Sequence, residues 1–121
     1  MDVNTMRHNR RGRVALLPPV FLPPASYYAL MSLYEAAVID VDMPYDKRMK
    51  SVHRTTICDT HGPLLLTVPV KRPHNVPDVR WCNIGVSAHG KWWDVQRVAL
   101  ESAYGRTPYF EHLFPRFAHF F

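Results

Sequence analysis

Three groups of side chains in this 121-residue chain have types and spacing that could do chemistry. The first is a carboxylate pair, Asp40 and Asp42, at or just past the end of the apolar run "AAVI". A carboxylate there can act as a general base, bind a ligand hydroxyl, or merely cap a solvated strand end. The second is the basic cluster Lys47, Arg48, His53 and Arg54, preceded by Tyr45. Guanidinium groups take phosphate and carboxylate in bidentate fashion, so the cluster offers an anion hold, although each member alone reads as a solvated loop charge. The third lies in "SAHGKWWDVQRVALESAYG". His89 precedes a helix whose N-terminus favours an anion, and Trp93, Gln96, Arg97 and Tyr104 project from it. A polar pair between aromatics suits a small-molecule pocket, and equally suits amphipathic packing with Arg97 at the rim.

These groups need elements to hold them. "RVALL" predicts a strand at Val14–Leu17, ended by the first of two proline pairs in "LPPVFLPPASYY". Proline fixes φ and removes a backbone donor, so this segment must be a stiff extended loop. Pro19, Phe21 and Pro23 would then wall a site, or plug the core with Phe21. Tyr27, Leu30, Met31 and Tyr34 follow at helical spacing, with Ser26 as N-cap. "AAVIDVD" completes a β-loop-α-β unit, which puts both aspartates on the proline-loop edge if the strands are parallel. Residues 44–55 predict a loop or frayed helix. "HRTTICDTHGPLLLTVPV" predicts a hairpin turning at Asp59–Gly62, and "VRWCNIGVS" alternates like a half-buried strand. Next comes a helix whose apolar face is Trp92, Val95, Ala99 and Ala103, closed by Gly105 as a C′ residue. A last helix follows Pro108 and is kinked or stopped by Pro115. The expected class is α/β: a β-loop-α-β unit, a central hairpin and a further strand in a mixed sheet, and C-terminal helices.

Composition narrows the function classes. Hydrophobic residues make up 47%, so the chain can fold, and its length suits one domain over residues 14–121. The net charge is +5, but residues 1–13 hold +3 of it, with four arginines against Asp2. This is a basic, flexible arm, and a nucleic-acid partner would rest on the arm alone. No apolar run approaches the length of a membrane span, and no secretory leader is visible. With only two cysteines there is no disulfide framework, so a reducing, cytoplasmic setting is expected. The seven histidines lack zinc-ligand spacing, so no metal site is expected, and no glycine-rich phosphate loop or nucleophile elbow occurs; the sequence leaves any cofactor unknown.

The order of these segments is distinctive. "LPPVFLPPASYYALM", Tyr45-x-Lys47-Arg48 with "HRTTI", "HGPLLLTVPV" and "KWWDVQRVALESAYGRTPYFEHL" together resemble the WbqC-like family over about residues 15–114. Each motif is weak alone; four in order are specific. There are departures. Pro18 stands where many members have glutamine, His53 replaces the asparagine of an Asn-Arg pair that Arg54 matches, and Gln96 stands where histidine is usual. The family also runs on past this region, so the chain reads as truncated, with Phe117, Phe120 and Phe121 left to seek a partner such as a second copy.

The resemblance implies a bacterial protein of surface polysaccharide (O-antigen) biosynthesis, transferring an acyl or glycine-like aminoacyl group to a sugar. The substrate would be a small molecule such as a nucleotide-sugar or sugar phosphate. On that reading Arg54, with Lys47 or Arg48, holds a phosphate or carboxylate. Asp40 or Asp42 takes a sugar hydroxyl proton, and Trp93 and Tyr104 stack on a ring. Gln96 can position a substrate but cannot shuttle a proton near neutral pH. The rival is a non-catalytic ligand-binding or assembly module derived from the same family.

Overall fold

The computed structural model describes residues 12–121, so the basic arm lies outside the described residues up to Arg11. The described chain is α/β and divides into two compact units, each discontinuous in sequence. One comprises the chain up to Val52 with Pro73–Ile84; the other comprises His53–Arg72 with Gly85–Phe121. The strands are of mixed type but are spread over three two-stranded sheets instead of being joined in one.

The first unit contains the β-loop-α-β unit read from the sequence. Strand β1 (Val14–Leu17) runs parallel to β2 (Ala36–Ile39), with Leu17 beside Ile39. Ala15 and Leu17 are buried, whereas Val14, Leu16, Ala36 and Val38 share the opposite face and are exposed, Leu16 at 70%. Helix α1 (Ala25–Ser32) begins two residues earlier than the Ser26 cap predicts. Pro24 occupies the cap position at φ −67° and ψ 161°, so its ring sets the entry geometry without a side-chain hydrogen bond. Arg13 lies over the Tyr34 ring at 5.1 Å, and Gly12 N donates to Glu35 Oε2 at 2.6 Å.

The alternating segment "VRWCNIGVS" is not one strand. Arg80 makes an isolated antiparallel bridge to Pro44, Trp81–Asn83 form a 3-10 turn, and Gly85–Val86 pair elsewhere as a two-residue strand. The cause is local: Asn83 Oδ1 accepts from Arg80 N, and Asn83 N donates to Arg80 O, which curls the backbone. Val79 and Trp81 still point inward, as alternation predicts, but Asn83 is exposed. Trp81 packs edge-on against Tyr45 at 4.8 Å.

The second unit starts with an antiparallel hairpin, β3 (Arg54–Asp59) and β4 (Gly62–Thr67), paired from Arg54↔Thr67 to Asp59↔Gly62. The turn is Thr60-His61; Asp59 Oδ1 accepts from Thr60 N at 2.7 Å, and Gly62 supplies the φ of +117° that other residues avoid. Ile57 and Leu66 bury one face of this ribbon, with Val68 just beyond it. Strands β5 (Val70–Lys71) and β6 (Gly85–Val86) form a second, shorter antiparallel pair.

Helix α2 (Trp92–Tyr104) packs against β3, and α3 (Phe110–Ala118) follows. The rotation of α2 differs from the apolar-face expectation. Val95 is 64% exposed, and the one fully inward residue is Gln96. Gly105 does follow Tyr104, but in right-handed geometry at φ −57°, so it is no left-handed C′ cap. Pro115 sits inside α3 without ending it, at the cost of a single backbone donor. Phe117 and Phe120 are exposed, while Phe121 meets the Trp92 ring edge-on at 6.5 Å. Among the described residues, no helix is long and apolar enough to cross a membrane.

Leu66 is 4% exposed and lies where the hairpin meets its core. Leu66→Ala should destabilise the protein by about 2–5 kcal/mol through lost burial and a residual cavity, read as a lower urea midpoint.

Candidate functional site

The carboxyl ends of β1 and β2 lie side by side, because Leu17 pairs with Ile39 in parallel register. The proline loop and Asp40 therefore leave the sheet at the same edge, and Asp40 N donates to Leu17 O at 2.8 Å. The loop is closed by two contacts: Tyr27 Oη donates to Pro18 O at 2.6 Å, and Phe21 N donates to Ser51 O at 2.9 Å. Pro19, Phe21 and Pro23 are half-buried in it. Asp40 Oδ1 accepts from Asp42 N at 3.0 Å, and Asp42 Oδ1 accepts from the Cys82 thiol at 3.3 Å. Lys47 is exposed, and Arg48 is held by Asp46 through Nε and Nη2 at 2.7–3.1 Å.

The remaining candidates belong to the second unit, where three of them converge on the open end of the hairpin. Arg54 is the direct cross-strand partner of Thr67. His53 continues the ladder by one residue: Val68 N donates to His53 O at 2.8 Å, and His53 Nδ1 lies 3.2 Å from Val68 O, which requires the Nδ1–H tautomer. Gln96 reaches the same end from α2, its Nε2 donating to Thr67 O at 2.8 Å. That bond fixes the amide orientation, because a carbonyl accepts only from nitrogen. Gln96 is only 3% exposed, and its Oε1 is buried without a protein partner. The Nε of Arg54 is likewise buried and unpartnered. An unpaired buried polar atom costs roughly 1–3 kcal/mol, so these two are the costly polar positions of this unit.

Gln96 also lines a cavity of about 260 Å³ with Leu65, Leu66, Thr67, Gly90, Trp92 and Val95. The turn before α2 shapes this wall: Gly90 has φ +73°, and Trp92 is braced by its Nε1 donating to Ser87 O at 2.8 Å. Trp93 stacks edge-on against Trp92 at 5.8 Å, outside the lining. His89 is exposed, and its backbone N donates to Ser87 Oγ. Arg97 pairs along the helix with Glu101 at 3.3 Å and Asp94 at 3.9 Å, and Tyr104 O accepts from Thr107. His89, Trp93, Arg97 and Tyr104 thus belong to the same unit without lining the cavity. Thr67 and Trp92 were not among the predicted site residues, although Thr67 sits in "LLLTVPV" and Trp92 opens the aromatic helix. Among the described residues, no three His, Cys, Asp or Glu side chains gather as a metal site would need.

The residues at the hairpin end, Arg54 and Thr67, and Gln96 on α2 are those carried by the segments that resemble a known family. Compared with family descriptions, the chain matches the WbqC-like protein family over residues 18–121. It belongs to that family. No curated protein and no solved structure matches it. In this WbqC-like chain, Gln96 donates to Thr67 O and its Oε1 is buried without a protein partner, an arrangement that does not change with pH near neutrality.

Two titrations test the geometry of the first unit. The hydrogen bond from Arg48 holds the Asp46 carboxyl at about 2, below its ordinary 3.8. Its contribution to stability is complete above about 4 and is lost as the pH falls through about 2. The Asp46 carboxyl carbon should titrate near that value by NMR, and Arg48→Gln should move it up toward 3.8. The second concerns Cys82, whose thiol is pushed up because only the protonated form can donate to Asp42. Asp42→Asn should therefore speed alkylation of Cys82 at neutral pH, measured by mass spectrometry in a Cys58→Ser background.

Proposed function

We propose that this WbqC-like protein is a transferase of bacterial surface polysaccharide biosynthesis that moves an acyl or aminoacyl group to a sugar. The hairpin end and α2 hold the sugar-bearing substrate. One observation supports the reading: Arg54 Nε and Gln96 Oε1, a charged donor and a neutral acceptor, are both buried and unpartnered, on residues that each engage Thr67, Arg54 through strand pairing and Gln96 through its side-chain amide. A nucleotide-sugar or sugar phosphate has the matching pair, an anionic group and a hydroxylated ring. Arg54 binds the anion through its planar guanidinium edge. Gln96, fixed by Thr67 O, accepts a hydrogen bond and sets the orientation of the ring.

The transfer itself is an acyl substitution on an activated donor, a thioester or ester. A sugar hydroxyl oxygen attacks the acyl carbonyl and forms the new C–O bond. The bond from the acyl carbon to the carrier sulfur or oxygen breaks, and the hydroxyl proton leaves with the carrier thiol or alcohol. Gln96 takes no part in that proton transfer, since an amide neither gains nor loses a proton near neutrality. The same fact favours a second reading, a ligand-binding module without turnover.

A thermal-shift screen against nucleotide-sugars, sugar phosphates and acyl thioesters tests both. A ligand at a hundred times its Kd stabilises the folded state by about 2.7 kcal/mol, so a binder raises Tm measurably. The expected result is a Tm rise with an anionic sugar that disappears in Arg54→Ala. Binding indifferent to Arg54→Ala, or no binding to well-folded protein, would overturn the site. Incubating the bound sugar with an acyl thioester then separates the readings: an added acyl mass on the sugar identifies the transferase, and its absence the module.

A further inference from the structure

Helix α3 carries an apolar stripe that the fold leaves uncovered. Tyr109, Leu113 and Phe117 recur at intervals of four, so they lie above one another on one side of the helix, and Phe120 continues the line past its end. They are 72%, 51%, 47% and 68% exposed. The neighbouring side of α3 is engaged: Phe110 stacks on Phe114 at 4.6 Å, and both are half-buried. Tyr109 is also held at φ +68°, a left-handed conformation that bulky residues rarely adopt. A cation borders the stripe, and the acid lies away from it. Arg116 is three residues after Leu113 and four before Phe120, next to both on the helix surface, whereas Glu111 is two residues from Leu113 and does not share its side. We propose that this stripe is a docking surface for an anionic phospholipid bilayer, on which α3 lies flat.

The occupant follows from charge, area and length. The chain carries a net +5, and residues 1–13 supply four of its arginines, so a negatively charged surface attracts it. Aromatic and aliphatic side chains in a line with arginine at the border suit a helix resting between headgroups and acyl chains. There the rings enter, while the guanidinium reaches back to lipid phosphate. One weak signal gives marginal binding, and an apolar stripe combined with a basic segment gives attachment. A second copy of the chain is the poorer occupant. At about 200 Å² for an aromatic residue, Tyr109, Phe117 and Phe120 present roughly 370 Å² at their exposures. Even with Leu113, two copies fall short of the roughly 1,000 Å² of a specific interface. An antiparallel pair would also set both Arg116 side chains on the same flank of the contact, like charge beside like. Among the described residues no helix can span a bilayer, so attachment through α3 is peripheral.

The test is co-sedimentation of the full chain with vesicles of phosphatidylcholine alone and of phosphatidylcholine mixed with phosphatidylglycerol. Binding is expected to the anionic vesicles and not to the neutral ones, and it should weaken as sodium chloride is raised, since exposed charges are screened. Arg116→Gln should weaken it about fivefold, the effect of one charge near the surface. Phe117→Ser/Phe120→Ser should weaken it by more than about tenfold, through lost apolar burial. Both phenylalanines are exposed, so the variant should keep its fold, which circular dichroism checks. Should α3 nonetheless be disturbed, Phe120→Ser alone lies beyond the helix end and is expected to weaken binding by a smaller factor.

The proposal is overturned if folded wild-type protein ignores anionic vesicles, or if it binds neutral ones equally well. It is also overturned if the serine variants bind anionic vesicles as wild type does, because the arginine-rich segment, intact in them, would then account for the attraction alone. A dimer in sedimentation velocity that the double variant abolishes, without vesicle binding, would assign the stripe to a second copy instead. None of these readouts depends on what the hairpin end binds.

Discussion

A single side-chain hydrogen bond, from Gln96 Nε2 to the carbonyl of Thr67, governs the hairpin-and-helix unit. Gln96 is only 3% exposed, so breaking the bond would leave its amide nitrogen buried without a partner. To make it, α2 must turn Gln96 toward the hairpin, which leaves Val95 and Val98 facing solvent. An apolar residue at position 96 would bury more cheaply. An amide there, with one end tied down and the other unpaired, is a local inconsistency in an otherwise apolar face of the hairpin unit.

In the other unit the controlling constraint is parallel register. Because Leu17 stands beside Ile39, two unrelated segments, a proline-stiffened loop and an aspartate-bearing turn, emerge at one sheet edge. The loop then needs few further restraints. Four prolines remove most of its backbone freedom, and the Tyr27 hydroxyl and the Phe21 amide fix the rest. Asp40 and Asp42 are ordered there through a backbone amide and a thiol, each carboxylate oriented by a donor two or forty residues away.

Much of this was legible from residue type. β-branched and aliphatic runs bounded by prolines located β1, β2 and the hairpin, because punctuation by proline and by Asp59–Gly62 leaves few alternatives. What misled was side-chain pattern without partners. "VRWCNIGVS" alternates properly, yet the reciprocal bonds of Arg80 and Asn83 outweigh two-residue periodicity. Helix α2 offered two faces, and hydropathy favoured the one with Val95, since no rule based on hydrophobicity ranks a glutamine as the most buried residue. Only the position of the Thr67 carbonyl decides that, and it is a tertiary fact. The roles of Arg54 and Gln96 were visible as motif positions, but their meeting at Thr67 depends on hairpin register and helix rotation together.

The interleaving of the two units along the chain has a kinetic side. The first is completed by Pro73–Ile84 only after the chain has passed through the hairpin, so its two parts are separated by His53–Arg72. Left flexible, that intervening segment would impose the full loop-closure entropy on the first unit. The hairpin removes most of it, because its register sets Arg54 against Thr67 and His53 against Val68, leaving only a few residues between the ladder and Pro73. Contacts so close in sequence form fast. The ribbon that carries Arg54 and Thr67 thus shortens the effective length of chain between the two sequence segments of the first unit.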